Sequence, residues 1–582
     1  MALGVIAGFF VLSFLIYGSS LQNGFVRWDD GLLVTENPAV RSINAETLGY
    51  VFTHFDPELY IPLTFVSYQI DFLFGGSPSV IHFHSLLLHT LNALLTAWLF
   101  LLLTKGQKGI ALLAGLLFLV HPLHTEAVAW VSSRKDVLSG FFFLASLLAF
   151  LSYRQGDDRR LYAGSVALFL CALLSKVTVI GLPVLLLLLA WRERRPWREA
   201  WRETVPFFAL ALLFGIVALF GKQTTLESTS LLPKVLLALQ NPVFVLTQFL
   251  WPFSFSALYP YTGPLTPFTP AFLVPAAVLL VFSGLVILSL RVGRDIAFGM
   301  LFFLLFLVPT VPNLARGEFL LLGADRYAYL PSVGVLWLVL LIGSVLWDAL
   351  AARRSLPLRA VATAALMVLP LAGLSWKAHG QSLVWKDTET LFRHVLHSYP
   401  DSFMAHNNIG NALRRRGMSD EAIAEFRAAL AVRPDPKTWS NLGAVYRKEG
   451  MISEALAAYD EALKTGSGSG EPYMGLGLVY AGQGRANDAY EAFTQAIERK
   501  PCYAEALLNR GSLLLRSGHF AEAEADEREA VRCDPLSPEA RYNLSIALLQ
   551  QGKRKEAQGQ LEHLLRLQEY APAREALRAL QR

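Results

Sequence analysis

From residue 2 to about residue 376 the chain alternates long uncharged apolar runs with short polar connectors; beyond that the apolar positions recur with helical spacing between charged ones. The first run, ALGVIAGFFVLSFLIY from Ala2 to Tyr17, carries no charge, and a helix of about 17–25 such residues crosses a bilayer core. Further runs lie near 80–103, 109–122, 136–153, 161–175, 177–191, 205–221, 270–290, 296–310, 329–348 and 360–376. Together they predict about eleven spans. One more apolar stretch, LLPKVLLALQNPVFVLTQFLWPFSF at 231–255, is interrupted by Asn241, Pro242 and Pro252 and is expected to be re-entrant or interfacial. No basic segment precedes the first run, which is therefore expected to be an uncleaved span.

The connectors assign sides. If 231–255 does not cross, one side collects Lys105 and Lys108, then Arg154, Arg159 and Arg160, then Arg192, Arg194, Arg195, Arg198 and Arg202, then Arg291 and Arg294, then Arg353, Arg354 and Arg359. Short cytoplasmic loops are enriched in Lys and Arg, so this side is expected to be the cytoplasm. The loop after the first span and the C-terminal tail then lie outside.

The tail repeats. Gly443, Gly477, Gly511 and Ser545 step by 34 residues, as do Ala455, Ala489, Ala523 and Ala557, with Gly410 and Ala422 opening the series one residue closer. That period with small residues at two fixed positions is the tetratricopeptide signature. Trp439, Leu442, Tyr446, Tyr459 and Ala462 complete the second repeat, Pro434, Pro501 and Pro535 close others, and GSGSG from Gly466 to Gly470 is expected to be a flexible joint. The expected fold class is all-α: a polytopic membrane domain at 1–376, a connecting helix at 377–400, five repeats at 401–570 and a capping helix at 571–582. Asn407, Asn411, Arg414, Arg447 and Lys448 fall on the inner helices, where they suit an extended peptide with an acidic or C-terminal group, or serve as plain solvated positions.

Composition adds exclusions. With 54% hydrophobic residues and a net charge of only +5, dispersed among loops, nothing favours nucleic acid. Cys171, Cys502 and Cys533 show no zinc spacing and are expected to be structural.

Polar clusters remain at the outer ends of the spans: WDD at Trp28–Asp30, the turn YIPLT from Tyr60, HPLHTEAVAWVSSRKD with His121, His124, Glu126, Arg134, Lys135 and Asp136, and PNLARGEFLLLGADRYAYLPS with Arg316, Glu318, Asp325 and Arg326. Each admits a plain reading as loop solvation, helix-end bonding or a structural ion pair. Charges at membrane depth are costly, however, and mark functional sites. Carboxylates and cations on one face suit group transfer from a lipid-linked phosphate: a carboxylate takes the acceptor hydroxyl's proton while cations neutralise the departing phosphate. No metal ligand set is visible.

These residues resemble a known family. WDDGLLVTENPAV, YIPLTFVSYQIDFLFG, HPLHTEAVAWVSSRKDVLSGFFFLASLLAFLSYR, LLSKVTVIGLPVLLLLLAW, ADRYAYLPSVG and the repeat array are similar to the transmembrane and tetratricopeptide repeat-containing proteins across essentially the whole chain. The resemblance implies a C-class glycosyltransferase using polyprenyl-phosphate sugars, mannose-like, in protein O-glycosylation. Carried over position by position, the acidic pair falls on Asp29 and Asp30, the HP-x-HTE segment on His121, His124 and Glu126, and the late arginine on Arg326. Asp29, first from the membrane, is expected to be the base, with Asp30 orienting it or the acceptor; Arg134 and Lys176 are expected to join Arg326 on the donor phosphate, and Tyr60 to shape the site with the histidines and Glu126. Ile61 stands where relatives often have arginine and Val177 where glutamate commonly follows the lysine, so the phosphate-binding set differs. The donor is a substrate and no cofactor is required, a divalent metal being compatible but not predicted. Membrane lipid, the lipid-linked donor and a protein acceptor held by the repeats are the expected partners. A lipid-linked glycan ligase or polymerase and a non-enzymatic scaffold are the alternatives. The Leu/Ala/Arg-rich composition points to a bacterial inner membrane with periplasmic repeats; the alternative is the endoplasmic reticulum with lumenal repeats.

Overall fold

The computed structural model describes residues 2–581 other than 56–58, 222–230, 317–318, 352–355, 467 and 568, and the side chains of these except 2, 316 and 349–366. Glu318, Arg353, Arg354 and Ser467 of the expected clusters lie outside the described residues. The chain forms two compact units, Met1–His394 and Val395–Arg582.

The first unit is a bundle of apolar helices. Among the described residues eight are long and apolar enough to cross a membrane, or nine if the bent pair Lys108–Val120 and Pro122–Ala129 forms one span. The chain is an integral membrane protein. Phe9, Phe100, Phe118, Phe143, Phe150 and Phe303 fill the bundle interior, while Leu212, Leu280, Val281 and Ile287 are exposed on the outside, where lipid is their solvent. Without a hydrophobic drive between helices in lipid, close contact depends on small residues. A Cβ on Gly334 would stand 2.7 Å from the Gly299 carbonyl, and one on Gly115 2.7 Å from the Ala97 methyl.

Three expectations change. Leu231–Leu250 is one continuous helix, unbroken at Asn241 and Pro242. Its polar residues find partners on neighbouring segments: Gln240 donates to the Ala271 carbonyl at 2.7 Å and Asn241 to that of Leu322 at 2.8 Å. Arg159–Ser175 and Val177–Arg192 are shorter than the other candidate spans. The helix expected to end near 376 runs on to Val384, and the connecting helix is Thr388–Ser398.

The second unit is a solenoid of five helix pairs, from Phe403–Arg416 with Ser419–Val432 to Pro538–Gln550 with Arg554–Leu567, closed by Ala571–Gln581. Gly410, Gly443 and Gly477 each face an aromatic ring of the paired helix: a Cβ would lie 2.8, 2.8 and 2.4 Å from Phe426, Tyr459 and Phe493. The period of 34 thus records a ring seated on bare backbone. Cys502 and Cys533 are joined by a disulfide across the third and fourth repeats.

Candidate functional site

The site begins at a forced bend. A residue before proline is pushed out of helical backbone, and His121, preceding Pro122, is extended (φ −70°, ψ 121°), so the chain turns by 53°. The histidines fix this turn. His121 Nδ1 accepts the Leu123 N–H at 3.2 Å and its Nε2 donates to the Phe249 carbonyl at 3.0 Å. His124 Nδ1 donates to the Phe118 carbonyl at 2.8 Å, and its Nε2 bonds the Ser332 hydroxyl at 2.9 Å. Both rings are buried with both nitrogens engaged. Among the described residues no three His, Cys, Asp or Glu side chains group as a metal site.

Beyond the bend stands Glu126, also buried. It accepts the main-chain N–H of Arg326 at 2.9 Å and pairs with its guanidinium. Arg326 lies over the rings of Tyr327 and Trp130, its carbon 4.9 and 5.0 Å from their centroids, with Trp28 at 5.9 Å. Trp28, Trp130 and Trp385 stack in series, 5.2 and 5.5 Å apart. Burial works against the guanidinium's charge, but Glu126, Tyr327, Asp136 and Asp29 more than offset it and raise the pKa above the ordinary arginine range. Burial, with Glu126 close by, holds the carboxyl of the adjacent Asp325 well above the usual range; the Tyr259 hydroxyl donates to it at 2.8 Å.

The two acids of WDD part company. Asp30 is fully buried and accepts the Val26 N–H at 2.8 Å, the Ser132 N–H at 2.9 Å and the Ser132 hydroxyl. It fastens the first loop to the segment before Arg134, and burial pushes its carboxyl up to about 7 despite these donors. Asp29 is half-buried, makes no side-chain hydrogen bond or ion pair among the described residues, and lies in the field of Lys135 and Arg326.

Lys176 pairs with Asp136, whose second oxygen is buried without a partner. Both line a cleft with Arg326, Tyr327, Ser139 and Thr310; it is narrow, about 20 Å³. Lys135 is buried, has no ion-pair partner among the described residues, and lies 5.8 Å from the Trp130 ring centroid. The structure therefore gathers Asp29, Lys135, Asp136, Lys176 and Arg326.

Two expected members lie elsewhere. Arg134 is fully buried and committed, donating to Asp71 at 3.0 Å, to the Ser85 hydroxyl at 2.9 Å and to the Ile81 carbonyl at 2.5 Å. Its position directly before Lys135 on a helix turns it to another face, away from the cleft lining. Tyr60 donates to the Phe52 carbonyl at 3.0 Å and packs beside Phe55 and Phe214. Lys135 and Trp130 take the places that sequence reasoning underweighted; both stand inside HPLHTEAVAWVSSRKD, but which side of the helix a cation faces is not written in its spacing from the bend.

In the solenoid, Asn407 accepts the Thr438 hydroxyl at 3.2 Å, Asn411 donates to the Asn407 carbonyl at 3.0 Å, and Arg414 donates to Asn411 at 3.3 Å. The Nε atoms of Arg414 and Arg447 are buried without partners, close to Tyr459. Lys448 is exposed.

The repeat unit matches the tetratricopeptide repeat family over residues 389–437, 407–472 and 474–538. Over the longer range the chain is 27% identical across 494 residues to protein O-mannosyl-transferase TMTC1 of Homo sapiens, covering 72% of this chain and 54% of that one. It is 26% identical across 503 residues to protein O-mannosyl-transferase TMTC4 of Mus musculus, covering 73% and 65%. The chain is a homologue of these proteins. A shorter stretch of 154 residues, 24% of the chain and 18% of the relative, is 36% identical to protein O-mannosyl-transferase tmtc2 of Xenopus laevis. The chain spans about half the length of the first relatives it matches. These are animal proteins and lend the bacterial inner membrane no support.

Proposed function

We propose that the chain is a membrane glycosyltransferase that moves a mannose-like sugar from a polyprenyl-phosphate donor to a hydroxyl of a protein acceptor, which the solenoid selects. One observation carries this reading: Asp29 is a carboxylate without a partner, set among Lys135, Lys176 and Arg326. Asp29 takes the acceptor hydroxyl's proton as its oxygen attacks the anomeric carbon. The bond from that carbon to the phosphate oxygen breaks on the opposite side, inverting the configuration, and the polyprenyl phosphate departs with the electron pair. Arg326 and Lys176 receive its charge. Asp30 acts through position, holding Asp29 on the Ser132 turn. The narrow cleft opens to admit the donor.

Sidedness follows the charge. Asp136 and Arg154 lie on one helix, Arg134–Gly156, and the rise from one to the other, eighteen steps of 1.5 Å, is about 27 Å, near the thickness of a bilayer core. The Arg154 end is the basic end, which favours the cytoplasm there and the outer face for Asp29.

The test is transfer of labelled mannose from a polyprenyl-phosphate donor by purified full-length protein. Asp29→Asn is expected to lower turnover by at least about 100-fold, the lower range for loss of a general base, at unchanged donor affinity and thermal stability. Full turnover by Asp29→Asn would remove the assignment.

A further inference from the structure

The opposite end of the helix that carries Asp136 holds a second charged cavity, unrelated to the proposed transfer. Its volume is about 490 Å³, and Lys105, Arg154, Arg192, Arg194 and Arg195 line it against only two carboxylates, Glu193 and Asp295. Leucines 102, 103 and 151 supply an apolar wall.

Some of this charge is spent within the protein. Arg192 donates to Asp295 at 2.8 Å and lies over Trp337 and Phe298. Arg195 grips Glu203 with two bonds, at 2.7 and 3.1 Å. The remainder is uncommitted. Arg154 pairs with Glu193 through one guanidinium nitrogen, while its Nη1 is buried with no partner although only 9% of the side chain is exposed. Lys105 and Arg194 are exposed and have no ion pair among the described residues.

The backbone points the same way. Lys105 and Arg194 follow the ends of Pro78–Leu103 and Leu182–Arg192 with φ of 53° and 58°, left-handed positions that glycine ordinarily fills at a helix end. Cations favour helix C-termini, which accounts for basic residues here. It does not account for a cavity of this size, or for a buried guanidinium nitrogen with nothing to bond.

We propose that this cavity seats the phosphate of an anionic phospholipid from the leaflet opposite the Arg326 cleft. Arg154 Nη1, Lys105 and Arg194 hold the phosphate oxygens, guanidinium and ammonium being the natural donors to that group. The glycerol and acyl chains leave along Leu102, Leu103 and Leu151. Because the cavity lies at the end of the spanning-length helix Val131–Gly156 and has an apolar wall, a lipid fits it better than a free anion.

Native mass spectrometry of the full-length protein in detergent tests this, with phosphatidylglycerol, phosphatidylcholine and inorganic phosphate as separate probes. The wild type is expected to keep one phosphatidylglycerol under conditions that strip phosphatidylcholine. Lys105→Ala with Arg194→Ala, both exposed positions, is expected to lower that retention at least about tenfold, as two lost interfacial cations should. Arg154→Gln is expected to do the same; should it misfold, the exposed double variant decides alone. Equal retention of the two lipids, or full retention by the double variant, overturns the proposal. Displacement of phosphatidylglycerol by millimolar inorganic phosphate would make this a free-anion site and overturn the lipid assignment as well.

Discussion

Glu126 holds Arg326 at two points, accepting its main-chain N–H at 2.9 Å with one oxygen and its guanidinium with the other. A carboxylate that fixes both backbone and head group leaves the guanidinium one orientation, over Trp130 and at the cleft. Glu126 therefore acts through Arg326.

A double-mutant cycle reads this out. Arg326→Gln should cost transfer ~2–4 kcal/mol, the scale for a donor that meets developing charge. Glu126→Gln should cost less, and the double variant no more than Arg326→Gln alone, because the second change acts on a side chain already gone. Additive losses, measured as kcat/KM for the donor in folded protein, would give Glu126 a role of its own.

The disulfide makes a prediction about compartment. Disulfides persist in oxidising surroundings and are rare in the cytosol, so the Cys502–Cys533 bond, 5.4 Å between Cα atoms, fits a solenoid outside the cytoplasm. Protein isolated with thiols blocked at lysis is expected to carry one blocked cysteine, Cys171, and two that react only after reduction. A Cys502→Ser variant should lose ~2–4 kcal/mol of solenoid stability, the usual size for a closed loop of this kind. Three blocked cysteines from the native membrane would instead place the repeats in a reducing compartment.

Much of this architecture was legible. The apolar runs gave the bundle, and the glycines at 443, 477 and 511 gave the repeats, because a spanning length and a side chain packed on bare backbone each impose a period. What escaped were facts of facing. Arg134 and Lys135 are neighbours in sequence, yet one is locked to Asp71 and the other stands near Asp29; no pattern distinguishes them without knowing where the bend at His121 aims the next helix. Asp29 and Asp30 pose the same problem, solved only by Ser132, 102 residues away. Asn241 beside Pro242 looked like a break because the partner of Asn241, the Leu322 carbonyl, is remote in sequence.

Glu527 breaks the repeat rule. It faces Gly511 as Phe426, Tyr459 and Phe493 face their glycines, so an acid occupies a ring's place. It is fully buried, one oxygen accepting from Asn543 at 3.1 Å and the other without a partner. Burial, with Asp526 adjacent, raises its carboxyl to about 9 against the Asn543 bond. A pKa raised above the unfolded value of about 4.3 stabilises fully at low pH, and that contribution is lost as pH rises to about 9. The solenoid should weaken by at most ~1.4 kcal/mol per pH unit across this window. Glu527→Gln should remove the slope, and Glu527→Phe should raise Tm at every pH. Parallel Tm profiles of wild type and Glu527→Gln from pH 5 to 9 would show that Glu527 stays charged.

The division of labour between the units rests on Arg414 and Arg447. They occupy the same place in successive repeats, four residues after Gly410 and Gly443, and each keeps a buried Nε with no partner. Asn407 and Asn411, by contrast, already bond within the solenoid, so the arginines are the better candidates for gripping an acceptor's carboxylate. Arg414→Gln with Arg447→Gln should raise the acceptor KM roughly tenfold, with kcat and donor KM unchanged, the behaviour of lost ground-state binding. Deleting Val395–Arg582 should go further, abolishing transfer to protein while slow hydrolysis of the donor persists. Repeats contact mainly their neighbours, so the membrane unit should still fold. If the double variant keeps its acceptor KM and the truncated chain still modifies protein, the solenoid serves assembly and the acceptor is chosen by the membrane unit itself.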